Sequence, residues 1–84
     1  MKTFEYVITC EEGIHAVPSA LLMKKAKKFD SELVMYKGNE SADMKSMFGI
    51  IGLCIGKGDK IRIEISGVDE DSAMEEIIDV LRQL

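Results

Sequence analysis

The sequence predicts an α+β domain: one mostly antiparallel four-stranded sheet with three helices on one face, in the order βαββαβα. Three observations carry this prediction. Residues 60–66 read KIRIEIS, with Ile61, Ile63 and Ile65 pointing one way and Lys60, Arg62 and Glu64 the other. Such alternation marks a strand with one buried face. Leu22, Ala26 and Phe29 recur at helical spacing and form a core stripe. The chain has 84 residues, 46% of them hydrophobic and 31% charged, enough for one core and too few for two.

Each element follows from local pattern. In residues 2–9, Phe4, Tyr6 and Ile8 alternate with Thr3, Glu5 and Val7, which predicts a strand. Cys10 to Gly13 is a loop. A helix is predicted over 16–28, with Pro18 in its first turn, where a missing N–H costs nothing. Asp30-Ser31 breaks the chain, and 32–37 (ELVMYK) is a second strand. Gly38-Asn39 signals a hairpin into a weak third strand over 40–44. Residues 46–54 suit a short helix capped by Ser46, although two glycines weaken it. Gly56 to Asp59 is a loop, and Gly67 ends the strand over 60–66. Asp69 is expected to cap a last helix over 70–83, whose apolar face is Ala73, Met74, Ile77, Ile78, Leu81 and Leu84. Glu70 and Asp71 suit the positive end of its dipole and Arg82 the negative end.

Charge and cysteine content exclude several functions. With 11 basic and 15 acidic residues the net charge is −4, which lacks the basic footprint of a nucleic-acid binder. The charge is uneven: Lys24, Lys25, Lys27 and Lys28 cluster, while acids crowd the C-terminal segment. A basic patch on an acidic protein suits an acidic protein partner, or serves only to solubilise a helix face. One His and two scattered Cys do not supply zinc with four ligands, so no metal or other cofactor is expected. Cys10 and Cys54 read as reduced thiols of a cytoplasmic protein. The longest apolar stretch, 47–56, is too short to insert across a bilayer, which takes roughly 20 residues.

The single histidine, His15, stands where a loop becomes a helix. First-turn N–H groups have no partners and welcome an anion. Neutral imidazole is a nucleophile, so the position suits a transient phosphohistidine, with the backbone N–H groups of Ala16 and Val17 holding the phosphate. Position alone leaves the plainer reading open, a helix-start histidine without a role. Residues 47–54 are apolar nearly all round. Ile50 and Leu53 are expected to point inward and Met47, Phe48 and Ile51 outward, as a partner site unless they belong to the core. On the first helix Val17, Ala20, Leu21, Lys24 and Lys27 share the face opposite the core stripe.

Gly13-Ile14-His15-Ala16-x-Pro18 resembles the active-site motif of the HPr family, the histidine-containing phosphocarriers of the bacterial sugar phosphotransferase system. Lys45-Ser46-Met47-Phe48-Gly49 resembles the family's second signature, in register with the first, and the likeness covers essentially the whole chain. The resemblance implies an open-faced β-sandwich with strand order 1-4-2-3. It implies that His15 accepts a phosphoryl group from enzyme I and passes it to sugar-specific IIA domains, which makes the protein a carrier and not an enzyme. It also implies that Met47, Phe48, Ile51 and the exposed face of the first helix dock those partners, and that Ser46 is the target of a serine kinase and phosphatase. A monomer is expected. The sequence departs from the family at Val17, where the family normally has an arginine, a planar and permanently charged phosphate ligand. Glu12 places a carboxylate beside the same site. Both departures support an alternative: a paralogue with weak carrier activity that acts on a transcription regulator through Ser46. An unrelated α+β binding module with the same fold is a more distant third reading.

Overall fold

The structure is a computed structural model that describes residues 1–84. Its elements are β1 (Lys2–Val7), α1 (Ala16–Ala26), β2 (Glu32–Lys37), β3 (Glu40–Asp43), α2 (Met47–Gly52), β4 (Lys60–Ser66) and α3 (Glu70–Arg82). They form one four-stranded sheet in the order β1-β4-β2-β3. All three pairings are antiparallel, so β1 and β2 run parallel to each other on either side of β4. The isoleucine strand takes a central place because its inner face must be covered on both flanks. Ile61, Ile63 and Ile65 are completely buried. Their cross-strand neighbours are Tyr6, Phe4 and Lys2 on β1, and Met35 and Leu33 stand opposite Ile63 and Ile65 on β2. Each buried Ile contributes about 1.5–3 kcal/mol relative to exposure. β3 lies at an edge, and its shortness and polarity discourage pairing with other chains there.

The helices close the inner face. Leu22 and Ala26 of α1, Ile50 of α2, and Ala73, Ile77 and Leu81 of α3 are buried in one core with the sheet. The inward placement of Ile50 and Leu53 and of the Leu22–Ala26–Phe29 stripe is as the periodicity predicts. Ile78 and Leu84 are only half-buried and pack against the core margin. At the hairpin, Gly38 alone has positive φ (60°), which fits a two-residue turn with glycine at its first central position.

Five elements end earlier than predicted, β3 by one residue, at Asp43. β1 stops at Val7 because Ile8 leaves the ladder: its N–H donates to Asp59 O and its carbonyl accepts from Gly58 N. α1 stops at Ala26, and a tightened Phe29 N–H to Ala26 O bond turns Phe29 into the core. α2 ends at Gly52, since Cys54 takes a left-handed conformation (φ 52°). The carbonyls just beyond it, Leu53 O and Cys54 O, accept from Lys37 Nζ, a cation at the negative end of the helix. α3 ends one residue early, at Arg82.

Asp69 occupies the N-cap position of α3, yet its side chain makes no cap bond. The carboxylate instead accepts from the backbone N–H of Asp30 at 2.8 Å and of Ser31 at 3.0 Å, and from the Ser31 hydroxyl. Loop N–H groups at a chain break have no other partners, so they outcompete the helix's own. The bond to the Ser31 hydroxyl, then those to the backbone N–H groups, hold the Asp69 carboxyl below the usual aspartate range. A group lowered in the folded state stabilises above its unfolded pKa, and that contribution is lost as pH falls through the folded value. The melting temperature is therefore expected to fall as pH drops below about 4, and Asp69→Asn to flatten that fall. Thermal melts of both proteins across this range check it; identical slopes would remove Asp69 from the acid transition.

Candidate functional site

The chain from Cys10 to Pro18 leads into α1 and builds the site around His15. Gly13 has φ +66° and lies so close to Ile55 and Gly56 that no side chain fits. Ile14 N–H donates to Ile55 O at 3.0 Å, and Gly13 N–H to Cys10 O at 3.1 Å. Cys10 Sγ donates to Gly13 O, so the loop is tied to itself and to the 55–58 loop. Ile14 is buried beside it, which forces the next residue out to the surface.

That next residue, His15, is the N-cap of α1, with extended backbone (φ −98°, ψ −158°) and no side-chain cap bond. A Ser or Asp here would spend its oxygen on the first-turn N–H groups. Histidine leaves them unclaimed. Pro18 has no N–H to offer, and Ser19 N–H already donates to His15 O at 3.0 Å. Ala16 and Val17 are therefore the first-turn residues whose N–H groups remain for an anion.

The imidazole edge has one protein partner. Its Nε2 lies 3.0 Å from Glu12 Oε2, with the ring about half exposed. Glu12, the carboxylate that the sequence places beside the site, thus stands against the ring. Its i, i+3 spacing to His15 is the only signal in the sequence for that contact. Glu11 turns away to Lys57, at 2.7 Å. A cavity of about 280 Å³ opens beside the ring, lined by Cys10, Glu12, His15, Pro18 and Leu84 among others. Sequence reading missed Cys10 and Leu84 here, because only the fold brings them to His15. A larger hollow, about 390 Å³, lies at the β2–β3 edge with Glu32, Asp43 and Lys45 in its wall; it contains no nucleophile to match the imidazole.

The apolar residues singled out on α1 and α2 behave unequally. Phe48 (79% exposed), Val17 (64%) and Leu21 (48%) are open to solvent. Met47, Ile51 and Ala20 are half-buried, because α1 and α2 pack against each other there. Lys24 and Lys27 are exposed and unpaired, whereas Lys25 and Lys28 both reach Glu76 of α3. The lysine cluster thus divides between an internal strut and two free cations. Ser46 caps α2, its Oγ accepting from Gly49 N–H at 3.1 Å. Cys10 and Cys54 are free thiols. No group of three or more His, Cys, Asp or Glu is placed to hold a metal ion, and no helix is long and apolar enough to cross a membrane.

The family model of the phosphotransferase-system HPr component phosphorylation site matches residues 2–83. Among solved structures, the chain is similar to the histidine-containing phosphocarrier protein of a mycoplasma, at 29% identity and a TM-score of 0.95 over 98% of this chain and 93% of that one. It is similar to an HPr from Thermoanaerobacter tengcongensis, at 32% identity and a TM-score of 0.92 over 98% and 92%. HPr of Bacillus anthracis is similar at 28% identity and a TM-score of 0.87 over 95% of each chain. With the family's phosphorylation-site model spanning nearly every residue of a sheet ordered β1-β4-β2-β3, the chain belongs to the HPr family of phosphotransferase-system phosphocarriers.

Proposed function

We propose that this protein carries a phosphoryl group on His15 in the cytoplasm, accepting it from enzyme I and delivering it to sugar-specific IIA domains. The observation that carries this reading is an exposed imidazole at a helix N-cap that does no capping, beside the unclaimed N–H groups of Ala16 and Val17. A ring nitrogen attacks the phosphorus of the donor. The N–P bond forms as the donor's bond to phosphorus breaks, and the non-bridging oxygens gain charge next to the two N–H groups. Delivery is the reverse with a different acceptor, so the protein leaves each cycle unchanged and serves as a carrier, without a reaction of its own. Mass measurement after incubation with enzyme I and phosphoenolpyruvate tests this. One phosphate adduct is expected on the wild type and none on His15→Ala. An adduct that persists in His15→Ala, or its absence from the wild type, ends the reading.

Val17, Leu21 and Phe48 with Lys24 and Lys27 form the docking face for both partners, with Ala20, Met47 and Ile51 filling in beneath. The two free cations suit an acidic partner, and Phe48 is the central exposed aromatic. Phe48→Ala is expected to weaken enzyme I binding by ~1–3 kcal/mol in calorimetric titration while leaving the melting temperature nearly unchanged. A large drop in melting temperature would instead make Phe48 a core residue.

A second reading is favoured by the absence of a cation on His15: the neighbouring position is Val17, and Lys57 is taken by Glu11. In that reading the protein is a regulator, phosphorylated on the exposed Ser46 by a serine kinase, reset by a phosphatase, and acting on a transcription regulator. A phosphate on Ser46 stays beside the Gly49 N–H it already meets, so α2 need not unfold. An adduct formed with a serine kinase and ATP but none with enzyme I would establish it.

A further inference from the structure

We infer that Lys37 is a positioning residue for His15, acting through the turn over 53–59 on which the His15 loop is seated. The link to His15 chemistry rests on the carrier reading above. The Lys37 ammonium donates to Leu53 O at 3.2 Å and Cys54 O at 2.9 Å, and lies 3.3 Å from Asp59 Oδ2. An ammonium has three N–H bonds to donate, and three acceptors of one turn face it. Lys37 is the last residue of β2, so the turn is anchored to the sheet. Asp59 closes the turn from within. Its Oδ2 accepts from Gly56 N–H at 2.8 Å, and its own N–H donates to Gly56 O at 3.1 Å. The Gly56 N–H and then the Lys37 ammonium hold the Asp59 carboxyl below the usual aspartate range.

The turn needs such a clamp. Cys54 has φ 52°, a left-handed conformation that a residue with a side chain disfavours. Strained backbone persists only where its surroundings over-determine it. Cys54 O is one of the three acceptors, so the lysine grips the strained residue itself.

Both ends of the His15 loop rest on this turn. At one end Ile8 N–H donates to Asp59 O at 2.9 Å, and Gly58 N–H to Ile8 O at 2.7 Å. At the other, Ile14 N–H donates to Ile55 O at 3.0 Å, and Gly13 lies against Ile55 and Gly56. Ile55 stands between Cys54, whose carbonyl Lys37 holds, and Gly56, whose N–H Asp59 holds. Any shift of the turn therefore carries Ile55 O with it, and with that the residue preceding His15. Helix α1 fixes His15 from one side and the clamped turn fixes it from the other. Transfer requires the ring and the Ala16 and Val17 N–H groups to keep one geometry about the phosphorus, and a misplacement of ~1 Å can cost about a hundredfold in rate.

Amide hydrogen exchange by NMR and phosphate uptake from enzyme I, measured on the same variants, test this. In Lys37→Met the Ile14 amide is expected to exchange about threefold to tenfold faster, the range that the loss of one ordinary hydrogen bond spans. The amides of the central strand β4 are expected to keep their rates, because they open only with the whole molecule. Phosphate uptake is expected to slow by roughly tenfold in kcat, with KM for enzyme I unchanged. Lys37→Arg still offers donors to the same acceptors and is expected to restore both readouts. Cys54→Gly removes the conflict at positive φ, so Lys37→Met/Cys54→Gly is expected to regain part of the Ile14 protection. An Ile14 amide that is unmoved in Lys37→Met, or that accelerates no more than those of β4, overturns the proposal. So does a kcat that stays at the wild-type value, or a slowing that resides in KM alone. If the wild type takes up no phosphate, the carrier reading falls, and Ile14 exchange alone decides whether Lys37 holds the loop.

Discussion

Gly13→Ala is expected to lower stability by at least ~3 kcal/mol, among the larger single-residue effects. Two costs add. The backbone at φ +66° is a left-handed conformation that alanine adopts at a penalty of about 1–2 kcal/mol. The new Cβ would then meet Ile55 O and stand 2.7 Å from Gly56 Cα. Both are main-chain atoms, and neither can rotate away as a side chain would. Relief requires the 10–14 loop to lift off the 55–58 loop, which breaks the 3.0 Å Ile14–Ile55 hydrogen bond and uncovers Ile14. For a chain of this size a loss of ~3 kcal/mol corresponds to a fall in melting temperature of roughly 12–24 °C. Gly38→Ala provides the comparison, because Gly38 has nearly the same φ (+60°) and nothing within 4 Å of the added methyl. Its melting temperature is expected to fall by only about 4–16 °C, the backbone penalty alone. Equal shifts in the two variants would show that the Gly13 seat on Ile55 yields freely.

Val17→Arg is expected to raise the rate of phosphate transfer by roughly tenfold to a hundredfold. A hydrogen bond to a charged group contributes about 1.5–3 kcal/mol, and each 1.36 kcal/mol in the barrier is tenfold in rate. Val17 is 64% exposed, so the substitution sacrifices little buried area. It stands in the first turn of α1, two residues after the histidine. Glu12 opposes the gain. A guanidinium that pairs with its carboxylate is drawn off the phosphate and loosens the 3.0 Å contact to His15 Nε2. Rates for the wild type, Val17→Arg and the Glu12→Ser/Val17→Arg double variant separate the two pulls. A double variant faster than Val17→Arg places the arginine on Glu12 in the single variant. If neither variant differs from the wild type, the transition state does not use a cation at this position.

The pattern of apolar residues by itself determined the element order and the buried face of each element. Ile61, Ile63 and Ile65 alternate on one strand, and Leu22, Ala26 and Phe29 repeat on one helix, because burial on a single face leaves a periodic trace in sequence. The histidine, the helix start behind it and the register of two motifs were equally legible, being local in the chain. The strand order came only from the resemblance, since pairing partners such as Phe4 and Ile63 lie far apart in the chain. Three matters belonged to the tertiary structure alone. Asp69 leaves its own helix for the 30–31 loop because unpaired N–H groups 38 and 39 residues away reach it only after folding. Met47 and Ile51 are half-buried although their spacing suits an exposed strip, because α1 packs on α2 and covers them. Glu12 is brought within 3.0 Å of His15 Nε2, which its place three residues earlier does not by itself require. The Gly13 turn, seated on Ile55 and Gly56, sets where that carboxylate stands relative to the ring.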